Sequence, residues 1–386
     1  MKLKKLRIMH IVTQLELGGA QNNVLDILRL LDKDRYTVYL ASSDQGPLAK
    51  KAQRLPGVKT VFLSSLTRPI NPVLDLLTLF KLITLFKKER INLVHTHSSK
   101  AGILGRWAAR IAAVPIIVHT VHGWSFHEHL NFLTKSFYRF LERMTAKFTD
   151  QLISVSYSDI NKGLSNSITT ENKYTLIRYG IETNQFSNCD IDIKQKKKQL
   201  GLSQDAPIVG MVACLKPQKS PQDFVRAAAL VLKKNPQTQF LLIGDGILRK
   251  KVERAVYDLN LQANFFLTGW REDIPEIMRC LDLLVLSSLW EGSPRVFLEA
   301  MSSKLPIVAY NVDGVNEVIK DGRNGFLVQP QDTAGLAAGV NRLLGDQDLL
   351  KKMGESGLEL VMNNGYHAER MLQDLDNLYC SLAAKE

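Results

Sequence analysis

Glu291 and Glu299 stand eight residues apart around Gly292, Ser293, Pro294, Arg295 and Val296, immediately after the apolar run LLVLSS. A short apolar run that breaks into Gly and Pro reads as a strand, a turn and then a helix with Pro294 in its first turn, where proline's missing N–H costs nothing. The start of that helix leaves its first N–H groups unpaired at the positive end of the dipole, which suits a phosphate, and Gly292 permits close backbone approach. Carboxylates accept hydrogen bonds from adjacent hydroxyls, so two of them flanking such a turn fit a sugar or ribose ring. By spacing alone, a capping glutamate and a solvated helix glutamate would look the same.

Other residues offer matching chemistry. Lys216 and Lys219 lie in the loop ACLKPQKSPQ, where their charge would meet a phosphate, although a lone loop lysine is more often solvated. Gly244 and Gly246 of IGDG follow a strand pattern and fit either a ligand turn or a plain strand-to-helix turn. Gly18-Gly19-Ala20 follows IMHIV as another phosphate-friendly turn, without the third glycine of GxGxxG. His122 of HTVHGW ends a strand before Gly123; a lone histidine there also fits a satisfied core position. His119, His127 and His129 are weaker candidates, and the cluster looks metal-like but lacks HExxH spacing. Asp190-Ile191-Asp192 sits in a polar segment and reads as solvated.

Composition narrows the classes. The 386 residues carry 50 Lys+Arg against 38 Asp+Glu, a net charge of +12, with 45% hydrophobic and 23% charged residues. That profile excludes a disordered or fibrous chain, and the length suggests two domains. The charge is lopsided: residues 1–187 hold 26 basic and 13 acidic side chains, whereas 188–386 hold 24 and 25. A basic half attracts anionic lipid, phosphorylated ligands or nucleic acid, and no RNP or zinc-finger pattern supports the last. The four cysteines are scattered without a CxxC pair, which fits a reducing cytosol. The apolar stretches at Ile8–Val12 and Leu74–Phe86 are too short or too interrupted for a signal core or a bilayer span.

The elements that must hold these residues follow from periodicity. IMHIV, YTVYLAS, KTVFL, LVHTH, IIVHTVH, QLISVS and YTLIR read as strands, with helices over 20–31, 72–90, 101–112 and 131–148. After the Lys-rich segment 188–205, taken as a linker, a second series begins: PIVGMVA, QFLLIG, NFFLTG, LLVLSS, PIVAY and GFLV, with helices near 221, 247, 273, 294 and 314. Alternating strands and helices predict an α/β protein of two Rossmann-like domains, 1–187 and 206–364, with parallel sheets facing across a cleft and a C-terminal helix over 365–386 returning to the first domain. The helix at 131–148 places Phe132, Leu133, Phe137, Phe140, Leu141 and Met144 beside Lys135, Arg139, Arg143 and Lys147, a stripe that fits core packing or a membrane surface.

EGSPRVFLE with the following EAMSSKLPIVAYNVDGVNEVIKDGRNGFLVQPQD closely resembles the signature of family 4 of the retaining nucleotide-sugar glycosyltransferases, which have the GT-B fold. LELGGAQ, HTHSSKAGILGRWAAR, HTVHGW and LIRYGIETNQF extend the resemblance over nearly the whole chain. It implies transfer of a sugar from a nucleoside diphosphate sugar to a hydroxyl acceptor with retained configuration, in the manner of bacterial polysaccharide assembly on a polyprenyl-diphosphate-linked sugar. The resemblance assigns catalytic roles to His122 and Glu291. It assigns donor binding to Gly19, Lys219, Gly244, Gly246, Arg271, Gly292, Ser293, Pro294, Arg295, Val296 and Glu299, and acceptor-side contacts to Lys100 and Arg178; Lys216 is added to the donor side for its charge. Relatives usually have an arginine at the position of Cys214, whose fork Lys216 cannot reproduce. The resemblance makes the nucleotide sugar a co-substrate and implies neither a cofactor nor a metal. The expected location is cytoplasmic and peripheral, on the inner face of an anionic membrane. A non-catalytic binder of anionic lipid or nucleic acid, and an NAD-dependent dehydrogenase with Asp44 as ribose ligand, are the competing readings.

Overall fold

Mostly apolar runs of three to seven residues become parallel strands, most of them buried on both faces. The computed structural model describes residues 5–128 and 130–385. Among these, the strands are β1 (Leu6–Ile11), β2 (Tyr36–Ser42), β3 (Val58–Phe62), β4 (Leu93–His97), β5 (Ile116–Val121), β6 (Gln151–Ser154) and β7 (Tyr174–Leu176), then β8 (Ile208–Val212), β9 (Gln239–Ile243), β10 (Phe265–Gly269), β11 (Leu283–Leu286), β12 (Ile307–Tyr310) and β13 (Gly325–Val328). The helices are α1 (Gly19–Leu30), α2 (Ala49–Gln53), α3 (Pro72–Glu89), α4 (Ser99–Ile111), α5 (Phe132–Ala146), α6 (Tyr157–Ser165), α7 (Asn184–Ser187) and α8 (Ile193–Gln199), followed by α9 (Pro221–Leu232), α10 (Arg249–Asp258), α11 (Ile274–Met278), α12 (Arg295–Ser302), α13 (Val315–Val318), α14 (Thr333–Leu344), α15 (Gln347–Asn363) and α16 (Ala368–Ala383).

The chain forms two units. The first contains residues 1–179 and 368–386, the second 180–367. In the first unit the strand order is β3-β2-β1-β4-β5-β6-β7, in the second β10-β9-β8-β11-β12-β13, and every paired strand is parallel. Each order reverses once, between β1 and β4 and between β8 and β11. At these switch points the loops leaving neighbouring strands diverge, opening a crevice at the strands' carboxyl ends.

Two boundaries differ from the sequence reading. The first unit ends at Tyr179 because Ile181 already pairs with His367 and its amide donates to Tyr366 O at 3.0 Å, inside the second unit. The Lys-rich segment is not a bare connection either, since α8 forms within it. Its buried Lys196 bonds Asp273 at 2.5 Å and also Glu276, which fixes the segment to the second unit. Helix α16 buries Met371, Leu375, Tyr379 and Leu382 in the core of the first unit with β1, β2, β4 and α1.

Candidate active site

The second unit gathers the predicted donor residues at the ends of β8, β9, β10 and β11. Lys219 closes the short 3-10 turn Pro217–Lys219 after β8, and Glu291 follows β11, so the two straddle the switch point. Their side chains form an ion pair in which the Lys219 ammonium donates to Glu291 Oε1. Both are largely enclosed, with side-chain exposures of 16% and 8%. The loops are locked together around this pair. Leu289 N donates to Gln218 O at 2.7 Å, Gln218 Nε2 to Trp290 O at 2.8 Å, and Ser287 Oγ to Lys219 O at 3.0 Å. The Glu291 amide donates to Asp313 Oδ2 at 2.9 Å, adding the loop after β12.

Gly292, Ser293 and Pro294 are buried, and Pro294 is the cap residue, so α12 begins at Arg295, one residue later than the sequence suggested. Glu299 lies one turn inside α12 and accepts from Arg295 Nε at 3.0 Å; Val296 is half-buried beside it. Gly244 and Gly246 have a definite steric role. Both have positive φ, and a Cβ on them would stand 2.0 Å from Ala213 O and 2.6 Å from Leu215 O. Only glycine lets the β9 turn lie against the β8 loop at that distance, and Leu215 N then donates to Asp245 O at 2.9 Å. Lys216 sits half-buried in the same loop, two residues beyond Cys214. Arg271, after β10, is held by Asp273 at 2.5 Å; the Arg271 hydrogen bond lowers the Asp273 carboxyl, and the Asp273 hydrogen bond raises the Arg271 guanidinium.

The remaining candidates belong to the first unit. Gly19 opens α1 after Gly18 and is exposed, so it does not share a unit with the other proposed donor residues. Lys100 pairs with Asp75 at 2.5 Å, tying α4 to α3, and Arg178 lies over the Tyr157 ring at 5.3 Å. His122 is part-buried at the end of β5, and both of its ring nitrogens are occupied: Nε2 by His97 Nδ1 at 3.0 Å and Nδ1 by the Tyr179 hydroxyl at 2.6 Å. Burial pushes its imidazole down to about 3, so the ring is neutral. His119 is buried against Thr96, at 2.9 Å, while His129 lies outside the described residues. Two histidines that the sequence reading did not single out are connected to His122: His97 is the partner on its Nε2, and His10 lies 3.0 Å beyond His97. Their signal was available, since His10, His95 and His97 all fall within predicted strands. His10, His95 and His97 offer ring nitrogens within 4.8 Å of one another, but both nitrogens of His95 and of His97 already have hydrogen-bond partners within the unit.

A family model described as glycosyl transferases group 1 matches residues 192–359, and one described as Glycosyltransferase Family 4 matches residues 17–185. The chain is 33% identical over 385 residues to a UDP-Gal:alpha-D-GlcNAc-diphosphoundecaprenol alpha-1,3-galactosyltransferase of Escherichia coli, covering 99% of this chain and 98% of that one. It is 26% identical to the capsular polysaccharide biosynthesis glycosyltransferase CapM of Staphylococcus aureus, covering 98% and 97%. Similar folds include HepE of Anabaena, crystallised with UDP and glucose, at a TM-score of 0.83 with 22% identity over 97% of this chain and 100% of that one. A sucrose-phosphate synthase of Thermosynechococcus elongatus gives a TM-score of 0.85 at 23% identity, covering 99% and 100%. With two parallel-sheet units and this whole-chain likeness, the dehydrogenase and pure-binder readings fall away. The chain belongs to family 4 of the GT-B nucleotide-sugar glycosyltransferases and is a retaining glycosyltransferase.

Proposed function

We propose that this enzyme transfers a sugar from a uridine diphosphate sugar to a sugar carried on a polyprenyl diphosphate, as a step in cell-surface polysaccharide assembly. The observation that carries the reading is the Lys219–Glu291 pair at the switch point of the second sheet, a cation for the diphosphate beside a carboxylate for sugar hydroxyls. The acceptor class rests on the whole-chain similarity to an enzyme named for a diphosphoundecaprenol-linked acceptor.

Breaking the bond between the sugar and the diphosphate places negative charge on the leaving phosphate and positive character on the sugar carbon. Lys216, Lys219 and the first N–H groups of α12 receive the phosphate charge, while Glu291 orients the sugar through its hydroxyls. Glu291 is bound by Lys219 through its carboxylate and by Asp313 through its amide, which favours a fixed orienting group over a mobile nucleophile. The acceptor hydroxyl then attacks on the face that the diphosphate leaves, and a departing phosphate oxygen takes its proton. Arg271 and Glu299 serve the nucleotide, with Gly244 and Gly246 keeping the two loops in contact. His122 serves the transfer step as a neutral ring of fixed orientation. The lysines supply the charge that a divalent ion would otherwise bring, so no metal is required. The test is transfer from a panel of nucleotide sugars, UDP-galactose first, to a diphosphoundecaprenol-linked N-acetylglucosamine, with and without chelator. Turnover that persists in chelator is expected; failure with every donor in the panel would sink the reading.

The site of action is the cytoplasmic face of an anionic membrane. No helix among the described residues is long and apolar enough to cross a bilayer. Instead, α5 leaves Phe132, Leu133, Phe137 and Phe140 from 51% to 79% exposed, which removes the core-packing alternative for those four residues. Helix α3 exposes Val73, Leu76, Leu77 and Phe80 in the same unit, which carries the basic excess. Lys135 and Arg143 are tied to Glu128 and to Asn166 O, so the apolar side chains are the better mutational handle. Binding to phosphatidylglycerol-containing vesicles at low salt is expected, with release by salt because the attraction is screened over about 10 Å at 0.1 M. Phe137→Ser with Phe140→Ser should reduce sedimentation with vesicles at least about fivefold, since each buried aromatic contributes about 1.5 to 3 kcal/mol. Equal sedimentation of wild type and variant would assign these side chains to another surface.

A further inference from the structure

Strands β1, β4 and β5 bring three histidines into a file that ends on Tyr179. His10 Nδ1 lies 3.0 Å from His97 Nε2, His97 Nδ1 lies 3.0 Å from His122 Nε2, and His122 Nδ1 lies 2.6 Å from the Tyr179 hydroxyl. Successive rings stack, with centroids 5.3, 5.3 and 5.7 Å apart. The adjacent His95 does not branch the file, because its nitrogens are taken by Tyr379 and Thr120 at 2.6 and 2.7 Å. His10 and His97 are fully buried in strands whose other residues are mostly apolar. Apolar side chains would fill that space without the cost of burying polar groups.

Burial keeps all three rings neutral, and a neutral imidazole has one N–H and one lone pair. Each link needs a donor and an acceptor, so the choice at one end sets every ring. Either all three carry the proton on Nε2 and Tyr179 donates, or all carry it on Nδ1 and Tyr179 accepts. A mixed file would oppose two N–H groups or two lone pairs at 3.0 Å, leaving buried groups unsatisfied at about 1–3 kcal/mol each. The inner end leaves one group unpaired in either arrangement, because His10 Nε2 has no hydrogen-bond partner among the described residues: an N–H in the first, a lone pair in the second. The outer end sets the choice: a phenol is a stronger acid than an imidazole N–H, so the short bond is made with Tyr179 donating.

We propose that His97 and His10 are positioning residues for His122, forcing the three rings into one shared tautomer with the proton on Nε2 and fixing the orientation of the His122 ring for transfer. The proposal rests on the reading that His122 serves the transfer step. It gives function to two buried histidines that need touch no ligand: they hold the one ring of the file that is not fully buried. His97 is the link that matters most, because both of its nitrogens are used.

The distinguishing variants exploit this geometry. In His97→Asn the amide occupies the place of Nδ1 and can still pair with His122, whereas in His97→Gln it reaches the place of Nε2 and meets His10 instead. The expected result is a kcat within about threefold of wild type for His97→Asn and about tenfold lower for His97→Gln and His97→Leu, the scale of one hydrogen bond, with donor KM unchanged. Ring 15N NMR of the histidine-labelled full chain should show His10, His97 and His122 all protonated at Nε2, and Tyr179→Phe should perturb His122 without unfolding the protein. Different tautomers within the file, or equal kcat for the Asn and Gln variants, would overturn the proposal even if His97→Leu fails to fold. Wild-type kcat in His122→Ala would instead remove the reading of His122 on which it rests. A kcat loss in His122→Ala combined with wild-type kcat in folded His97→Leu would overturn the positioning role alone.

Discussion

Replacing Glu291 by Gln is expected to lower kcat/KM for transfer by about 100-fold while nucleoside diphosphate binding changes less than about threefold, because a charged hydrogen bond contributes about 1.5–3 kcal/mol. The asymmetry follows from what the carboxylate touches. Glu291 is 8% exposed and pairs with Lys219, so its loss removes the orienting charge for the sugar yet frees the ammonium for phosphate. Lys219→Ala should do the opposite, weakening nucleoside diphosphate about 10- to 100-fold and leaving nucleoside binding intact, since the nucleoside carries no phosphate to lose. Glu299→Ala, which also releases Arg295 from its 3.0 Å bond, should weaken nucleoside diphosphate more than it slows bound-state turnover. Calorimetry with diphosphate and nucleoside, alongside donor kinetics, separates the three. Wild-type donor kinetics in both glutamate variants, or equal weakening of both ligands in Lys219→Ala, would reassign these residues to the fold.

Arg106→Leu is expected to destabilise the first unit by about 3–5 kcal/mol, because it strands a buried carboxylate. Arg106 is fully buried in α4, its Nη2 donates to Glu142 of α5 at 2.7 Å, and its Nε donates to Gly102 O at 2.9 Å. Glu142 itself is 3% exposed, so water cannot replace the lost partner. Adding Glu142→Leu to Arg106→Leu should restore most of the loss, since a buried pair exchanged for apolar groups of similar volume is often neutral or stabilising. Urea midpoints of the single and double variants, followed by circular dichroism, test this. A single variant within about 1 kcal/mol of wild type would show that the pair is hydrated.

Much of this architecture was legible because its signals are local. The runs YTVYLAS, LVHTH and GFLV coincide with β2, β4 and β13, and the Pro-led starts at Pro72 and Pro221 coincide with α3 and α9. What escaped depends on residues far apart in sequence. Nothing near Lys196 announces Asp273 and Glu276, so a helix clamped to the second unit read as a polar linker. Likewise, His10 and His97 are 87 residues apart and become neighbours only because β1 pairs with β4. Within the candidate site, the positions of Lys219 and Glu291 after their strands were readable, but their mutual pairing came from the order in which β8 and β11 lie side by side. The α5 stripe shows the limit of periodicity: helical spacing identifies a face, and only the neighbours decide whether that face is covered.

The placement of α16 has a consequence for biosynthesis. Residues 180–367 form the second unit without interruption, whereas the core of the first unit takes Met371, Leu375, Tyr379 and Leu382 from a segment translated after them. On a ribosome adding about 5–20 residues per second, roughly 190 residues must follow Tyr179 before that segment is made, a wait of about 10–40 s. During that interval the nascent first sheet lacks the helix that covers its β1 and β4 side chains, and His95 lacks the Tyr379 hydroxyl. The unit encoded second is therefore the one that can finish folding first, and the unit encoded first is the one that most needs protection from chaperones while it waits.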